Sequence, residues 1–441
     1  MYPFFELPSF TSGMLIALIA SFHILPSHLA TGAFWFTVSV ERDAIRRNRP
    51  ELLDFLKKYT LFILLFCFVF GSLTGVGIWF SSTVASPRGI SGLIHNYVWG
   101  WATEWVFFII EIVTIYTYYY TFGKIGSRTH LRIGWIYAWA AWISMIIITG
   151  ILSFMLSSGK WIETGGFFDG FFNRTYWPQL FMRTGLMFGI AGLYAIIVAS
   201  RLDNLDVRKW ITRKAAIWGI GGMAAAGFFC AWYLFSLPEA AKALLFEGTL
   251  PYLKKLGTVA IGSLAIVTTS FIIFGFMSPW RVNTVTGTIL VLVLFAGIGA
   301  AEGIREGIRR PYVIDNYLYS NQIVAHDLPA KKVTAETVRF RTDGFLKNLF
   351  FVPDQIKDDP GSHPVEAGRI VILFQCGNCH ALERGGIIRP LPALISRLGM
   401  NSPEELADYL LALESYPFMP PFVGTDEDRL AAGAYLASLV R

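Results

Sequence analysis

The stretch "YTLFILLFCFVFGSLTGVGIWF" runs from Tyr59 to Phe80 and carries no charged residue over its 22 positions. A helix rises 1.5 Å per residue, so this stretch is long enough to cross a hydrocarbon core of about 30 Å. The whole chain of 441 residues is 54% hydrophobic and only 15% charged, whereas soluble domains carry about a quarter charged residues. The sequence therefore predicts an all-α membrane protein that crosses the bilayer several times.

Apolar stretches of sufficient length predict eight membrane spans. They cover residues 13–40, 59–82, 98–122, 132–156, 179–200, 214–236, 257–279 and 284–304. Lysine and arginine are concentrated in the connections after the first, third and fifth spans. The positive-inside rule therefore places these connections in the cytoplasm, and the chain before span one and after span eight outside. The net charge of +6 arises from this clustering at span ends, so nucleic-acid binding is not predicted.

Three regions are predicted from the change in composition after the last span. Residues 1–308 form the transmembrane domain, residues 309–364 a polar connecting segment, and residues 365–441 a small C-terminal domain. The connecting segment ends in "DQIKDDPGSHP" (354–364), whose composition predicts a flexible linker.

The C-terminal domain contains "ILFQCGNCHALERGG" (372–386), with Cys376, Cys379 and His380 in the spacing C-x-x-C-H. This spacing is the attachment signal for a c-type haem, with two thioethers and an axial imidazole. The alternatives are a chance occurrence or a redox dithiol. Met419 lies in the Pro-flanked segment "SYPFMPPFVG" and is the candidate sixth ligand, the alternative being a packing methionine.

The order of these features resembles that of small single-haem cytochromes c: a helix, C-x-x-C-H, a distal methionine in a loop, and a closing helix. The carbonyl of Pro390 or Pro392 is expected to accept the second ring proton of His380. In bacteria this haem is attached outside the cytoplasmic membrane, which agrees with the predicted even number of spans.

Ionisable groups inside spans are costly, so each one suggests a site. They are His23, His28, Glu104, Glu111, Glu302 and Glu306. Glu104 and Glu111 are seven residues apart and share one helix face. Three of these groups also have a simpler interpretation: His23 bonded to a backbone carbonyl, His28 with a structural or propionate-binding role, and Glu306 paired with a nearby arginine. His130 lies near a span end and is expected at the surface.

These residues, in this order, resemble subunit I of cytochrome bd-type oxygen reductases. His23 in "SFHILPSH" matches the first-span histidine of that family, Glu104 matches its third-span glutamate, and Glu111 lies close to a second one. Glu306 and Arg309 in "EGIRRPY" match its Glu and Arg before a proline. The resemblance implies that His23, Glu306 and Glu104 serve an active-site haem pair and that Glu104 and Glu111 relay protons.

The sequence also departs from that family. Arg183 occupies the position where the family has a histidine ligand of its low-spin haem b, and the seventh predicted span has no methionine before Met277. The connection between spans six and seven, where the family binds quinol, is short, and a ninth span is missing. These losses make quinol oxidation doubtful and suggest that the C-terminal haem carries the electrons instead. Arg183 would offset haem propionates or pair with an acid.

The sequence thus predicts a bd-like oxidoreductase of the bacterial inner membrane that passes electrons from periplasmic cytochrome c, or a multihaem cytochrome subunit, to dioxygen. The expected cofactors are one covalent haem c and one or more haems b, with haem d as an option. A second bd-like membrane subunit is the expected partner. The alternatives are an electron conduit of the quinol/cytochrome c oxidoreductase type without oxygen chemistry, and a structural membrane scaffold.

Overall fold

The computed structural model describes residue 3, residues 5–7 and residues 9–440 of the chain, which is almost entirely helical. Eight helices are long and apolar enough to cross a membrane by length and composition. They are α1 (Ser12–Arg46), α2 (Glu51–Ala85), α3 (Pro87–Tyr120), α4 (Ser127–Phe154), α5 (Tyr176–Ala199), α6 (Leu205–Phe235), α7 (Pro251–Met277) and α8 (Thr284–Ile308). Each predicted span falls on one of them, so the prediction of eight spans is confirmed.

Two of the long helices contain π-helical turns, and three short helices lie in the connections. The π-helical turns are Phe66–Phe70 in α2 and Phe271–Met277 in α7. The short helices are Trp161–Thr164 and Phe167–Phe171 between α4 and α5, and Glu239–Phe246 between α6 and α7. The connection between α6 and α7 is therefore compact, as its length predicts.

Helix α1 runs through the centre of the bundle and packs against α2, α4, α5 and α8. The closest pair is α5 and α6, which approach through glycines. A Cβ atom added at Gly185 would lie 2.5 Å from the backbone nitrogen of Ala226, and one at Gly222 would lie 2.6 Å from the carbonyl oxygen of Gly185. Small residues at such positions let two backbones touch, the usual basis of helix association in membranes.

The C-terminal residues form one unit with a short hairpin and six helices. The hairpin pairs β1 (Tyr312–Ile314) with β2 (Leu318–Tyr319) in antiparallel fashion. The helices are α9 (Glu336–Asp343), α10 (Asp354–Asp358), α11 (Pro364–Cys376), α12 (Leu391–Leu398), α13 (Pro403–Leu411) and α14 (Asp426–Ser438). Three 3₁₀ turns complete it: Pro329–Lys331, Leu346–Asn348 and Ala412–Ser415. Helices α11 and α14 cross where Gly368 meets the backbone of Ala431.

The stretch 354–364, predicted to be a flexible linker, is helical in its first half. Helix α10 occupies part of it, and Ile356 is buried in the same core as Val371 of α11. The carboxylate of Asp428 in α14 accepts hydrogen bonds from the backbone nitrogens of Phe345 (2.7 Å) and Leu346 (3.2 Å). Sparse apolar residues and one buried acid therefore fold the connecting segment and residues 365–440 into a single packed unit.

The C-terminal unit rests on the side of the bundle where α1 begins and α8 ends. The backbone nitrogen of Ile387 donates to the carbonyl of Ser9 (2.9 Å), and Ser12 Oγ donates to Asn378 Oδ1 (3.0 Å). An even number of membrane crossings explains why the start of α1 and the C-terminal unit lie on the same side. That this side faces the periplasm remains a prediction of the positive-inside rule.

Candidate functional site

A cavity separates the C-terminal unit from the ends of the membrane helices, and we name this contact the seam. Cys376, Cys379, His380 and Met419 all line the cavity, although Met419 is far from the other three in the sequence. The bundle adds Leu250, Tyr252 and Arg310 to the lining, and the C-terminal unit adds Ser320, Gln375, Asn378, Arg389, Leu413, Phe418 and Pro420. The four residues predicted to hold haem c therefore surround one space.

His380 follows the end of α11 in a turn, and its ring is held by one backbone carbonyl. Nδ1 lies 3.0 Å from the carbonyl oxygen of Arg389, so the predicted acceptors Pro390 and Pro392 are wrong by one and three residues. A proton on Nδ1 leaves Nε2 with a free lone pair, as an iron ligand requires. Burial, assisted by the charge of Arg310, lowers the pKa of His380 to about 4, so the imidazole is neutral at physiological pH.

The segment that carries Met419 is non-helical, as predicted, and it is fixed at both ends. On one side Gln375, next to Cys376, donates from Nε2 to the carbonyl of Val423 (2.6 Å) and accepts from its backbone nitrogen (3.1 Å). On the other side Phe418 packs into an apolar cluster with Leu250 and Ile308 of the bundle. Two thiols, a neutral imidazole and a thioether around one cavity fit a covalently attached haem.

Arg310 connects this cavity to the membrane helices. Its Nη2 atom donates to Glu306 Oε1 (2.8 Å) and Oε2 (3.0 Å), and only 7% of Arg310 is exposed. Glu306 therefore has the arginine partner that its simpler interpretation predicted. The same pair brings a candidate membrane-haem ligand next to the C-x-x-C-H motif.

Arginines outnumber acids in this part of the bundle. Arg305 is bonded to Glu302 Oε2 from Nε (2.9 Å) and Nη2 (2.6 Å). Arg183 lies within electrostatic range of Glu302 and Arg305 but has no direct ion pair among the described residues. Arg309 contacts the sulfur of Met155 at 3.8 Å, and burial lowers its pKa to about 10.

Four arginines, namely Arg183, Arg305, Arg309 and Arg310, thus share the two carboxylates of Glu302 and Glu306. The Nε atoms of Arg183 and Arg309 are buried without a hydrogen-bond partner in the described part of the chain. A buried cation needs a compensating anion, so this cluster fits ligands that bring carboxylates of their own, such as haem propionates.

The two histidines of α1 differ in how their rings are held. His23 Nδ1 lies 3.1 Å from the hydroxyl of Thr74 in α2. His28 Nδ1 lies 3.0 Å from the carbonyl oxygen of Ile24, while its buried Nε2 has no partner among the described residues. The free Nε2 makes His28 a ligand candidate that sequence reasoning missed, because the first-span match points to His23 and sequence does not show ring orientation.

A second group of polar residues lies on the facing surfaces of α3 and α4, and we name it the polar face. Glu104, Glu111 and Tyr118 recur every seven residues on α3, and His130, Tyr137 and Ser144 recur every seven residues on the antiparallel α4. They face each other in pairs. Ser144 Oγ donates to Glu104 Oε1 (2.9 Å), Tyr137 lies within electrostatic range of Glu111, and the rings of Tyr118 and His130 are 4.0 Å apart.

His130 is buried with Glu41 at the end of the polar face far from the seam, so its predicted surface position is wrong. Its Nδ1 lies 2.6 Å from Glu41 Oε1 and its Nε2 lies 2.9 Å from the carbonyl of Tyr118. Tyr118 also donates its hydroxyl to Glu41 Oε2 (2.8 Å). Both ring nitrogens therefore face oxygen acceptors, and Glu41 links His130 of α4 to Tyr118 of α3. The acid that draws His130 inside is 89 positions away in the sequence, so local hydropathy cannot reveal it.

Eight spans, of which α1 is the central one, and buried ionisable groups near the end of α8 define a polytopic helical membrane protein. The structure is similar to that of the bd oxidase from Geobacillus thermodenitrificans, with a TM-score of 0.57 over 75% of this chain and 92% of that chain. The two sequences are 14% identical over the match. No family model and no curated protein sequence matches this chain.

Proposed function

We propose that this chain is the haem-bearing subunit of a bd-like respiratory oxidoreductase that accepts electrons from a periplasmic cytochrome c or multihaem cytochrome and delivers them to dioxygen. In this proposal the C-terminal unit is a cytochrome c domain. Cys376 and Cys379 form the thioethers, and His380 and Met419 are the axial ligands. Bound haem iron supplies the one-electron redox chemistry, and the protein supplies position, charge and protons.

One observation carries the proposal: Arg310 bonds to Glu306 and also lines the cavity of the C-x-x-C-H motif. The two candidate haem sites therefore share a side chain. Phe418 of the C-terminal unit also packs against Leu250. The unit therefore covers part of the α6–α7 connection, where the family binds quinol, and this supports electron entry through the C-terminal haem instead. Fixed contacts at the seam replace the flexible tether that the sequence suggested.

Within the membrane, His23 and Glu306, with Glu104, are the proposed ligands of one or more haems b or of a haem d, and His28 offers a second imidazole. Arg183 and Arg309 would neutralise the carboxylates of such a group. Glu104 and Glu111 lie on the polar face with Ser144 and Tyr137, and we assign them to proton transfer toward the reduction site. A second bd-like membrane subunit would enclose the exposed apolar sides of the bundle.

A second candidate is an electron conduit between membrane haems and periplasmic carriers without oxygen chemistry. It is favoured by the ion pairs that Glu302 and Glu306 form with Arg305 and Arg310. Carboxylates held in this way need not act as iron ligands. This reading keeps the haem c and removes the site where oxygen would bind.

The test is to purify the complex and measure its haems by pyridine haemochrome and CO-difference spectra. One haem c together with a CO-reactive b or d haem supports the oxidase. One haem c with no CO-reactive haem supports the conduit. The absence of haem c would overturn the proposal at the seam, and the absence of any b or d haem would overturn the membrane site.

The variants His23→Ala and His28→Ala assign the membrane ligand in the same assay. Loss of b or d haem in His23→Ala alone is the expected result. Loss in His28→Ala alone would transfer that role to His28.

A further inference from the structure

We propose that Arg310, Tyr252 and Arg389 bind the two propionate carboxylates of the haem at the C-x-x-C-H motif, so that the membrane helices complete a site whose covalent attachment lies in the C-terminal unit. This inference rests on the proposed function, because it presupposes that the haem is attached. It concerns residues that neither the motif nor the family resemblance points to: Arg310 follows the motif arginine Arg309, and Tyr252 lies in α7.

The charge of the cavity lining supports this assignment. Two arginines, Arg310 and Arg389, line the cavity together with the hydroxyl-bearing Tyr252, and no aspartate or glutamate is among the lining residues. A haem carries two propionates, which are anionic at neutral pH. Two guanidinium groups and a phenol therefore match two carboxylates in charge and in hydrogen-bonding capacity.

Unpartnered donors provide the second, independent observation. The Nε atom of Arg310 and the hydroxyl of Tyr252 are both buried without a hydrogen-bond partner in the described part of the chain. A buried donor left without an acceptor costs roughly 1–3 kcal/mol. Two such donors on residues that line one cavity therefore indicate an acceptor that arrives with a ligand. Glu306 occupies Nη2 of Arg310, and Nε remains available on another edge of the same guanidinium.

The position of Tyr252 depends on a glycine. The Tyr252 hydroxyl would lie only 2.7 Å from a Cβ atom added at Gly307. Gly307 therefore leaves room for the phenol beside the end of α8. Arg310, three residues later in the chain, reaches the same cavity, so the two donors approach from adjacent elements of the bundle.

Two consequences follow from this arrangement. A cation next to a haem disfavours the ferric state, so Arg310 should raise the midpoint potential of the haem c. Contacts between the propionates and the bundle should also hold the C-terminal unit against the membrane domain. The holoprotein would then keep its haem c at a fixed distance from Glu306.

The experiment is a redox titration of the purified complex for the wild type, Arg310→Gln, Arg310→Lys and Tyr252→Phe. Arg341→Gln is the matched control, because Arg341 is in the same C-terminal unit and pairs with Glu414 at the surface. We expect Arg310→Gln to shift the reduction equilibrium of the haem c about tenfold toward the ferric form, which is 59 mV for a one-electron couple. Arg310→Lys keeps the positive charge, so its potential should lie between those of Arg310→Gln and the wild type. Tyr252→Phe should lower the potential less than Arg310→Gln does, and the control should match the wild type.

Arg310→Gln leaves Glu306 without its partner. The double variant Arg310→Gln/Glu306→Gln is the control for a folding defect from that unpaired acid. A downward shift that persists in the double variant, smaller than in Arg310→Gln because Glu306→Gln removes a nearby negative charge, supports the inference. An unchanged haem c potential with a shifted potential of a b or d haem would assign Arg310 to the membrane haem and overturn the inference. The absence of a shift at every haem would also overturn the inference. A wild-type complex without haem c would refute the proposed function itself, and the haemochrome assay detects that separately.

Discussion

The seam and the polar face both bury ionisable groups, but with opposite charge balance. At the seam Arg183, Arg305, Arg309 and Arg310 share two carboxylates, and several donors are without partners. On the polar face the carboxylates of Glu104 and Glu111 have no cation paired with them among the described residues, and the one candidate cation, His130, is matched by Glu41.

This difference distinguishes two kinds of functional surface. Excess buried donors call for a ligand that supplies anions, so the seam fits a prosthetic group with carboxylates. Buried carboxylates lined by hydroxyl groups, with no cation paired to them among the described residues, are suited to taking up and releasing protons, so the polar face fits a proton-transfer role. The structure thus separates the proposed electron route from the proposed proton route.

Removing the thioether cysteines should have the largest effect, and it should affect only the haem at the seam. Cys376→Ala or Cys379→Ala should abolish the normal two-thioether haem c, because each cysteine supplies one bond, while the spectra of the membrane haems persist. Pyridine haemochrome analysis of purified protein measures this. Cys230→Ala in α6 is the control and should keep all haems. Normal haem c in Cys379→Ala would contradict the attachment site.

On the polar face, Glu104→Gln should lower turnover about 10²–10⁴-fold, because a positioned proton-transfer group typically contributes that much. The haem content should not change if Glu104 relays protons. Oxygen consumption with reduced cytochrome c as donor, measured beside the haem spectra, tests this. Glu247→Gln, at an exposed position of the α6–α7 connection, should be as active as the wild type. Loss of a membrane haem in Glu104→Gln would instead assign this glutamate as a ligand.

At the far end of the polar face, Glu41→Gln should lower the free energy of unfolding by about 1–3 kcal/mol, the usual cost of removing one partner from buried hydrogen bonds. His130 and Tyr118 would then both lose a charged acceptor. Thermal unfolding in detergent measures the change. Lys58→Gln, which breaks the exposed pair with Asp54, is the control and should change stability by less than about 1 kcal/mol. An equally small effect of Glu41→Gln would show that the buried site is hydrated.

The features of the two regions that depend on neighbouring residues in the chain could be predicted from the sequence. Twenty or more apolar residues specify each span, and the spacing of Cys376, Cys379 and His380 specifies the attachment motif. The seven-residue recurrence of His130, Tyr137 and Ser144 was also present in the sequence. This recurrence is informative only together with the matching recurrence of Glu104, Glu111 and Tyr118 on α3. The two recurrences together indicate the polar face.

The remainder depends on contacts between distant parts of the chain. Arg310 and Tyr252 meet the C-x-x-C-H motif only because the C-terminal unit docks on the bundle, and neither residue belongs to a motif. The predicted linker is folded because isolated apolar residues such as Ile356 reach a core that the sequence does not display. The ring of His23 is likewise held by a distant residue, Thr74 of α2.

The smallest effect is expected at the rim of the seam, where Arg369 Nη2 donates to Glu6 Oε1 at 2.7 Å. Both side chains are partly exposed, so water and salt screen their attraction, and Glu6→Gln should change stability by no more than about 1 kcal/mol. Limited proteolysis of the C-terminal unit and thermal unfolding of the complex measure this. If docking depends on the buried donors around Arg310, then Glu6→Gln should leave the protease pattern unchanged while Arg310→Gln alters it. The reverse order would mean that the rim, and not the arginine-rich interior of the seam, holds the two units together.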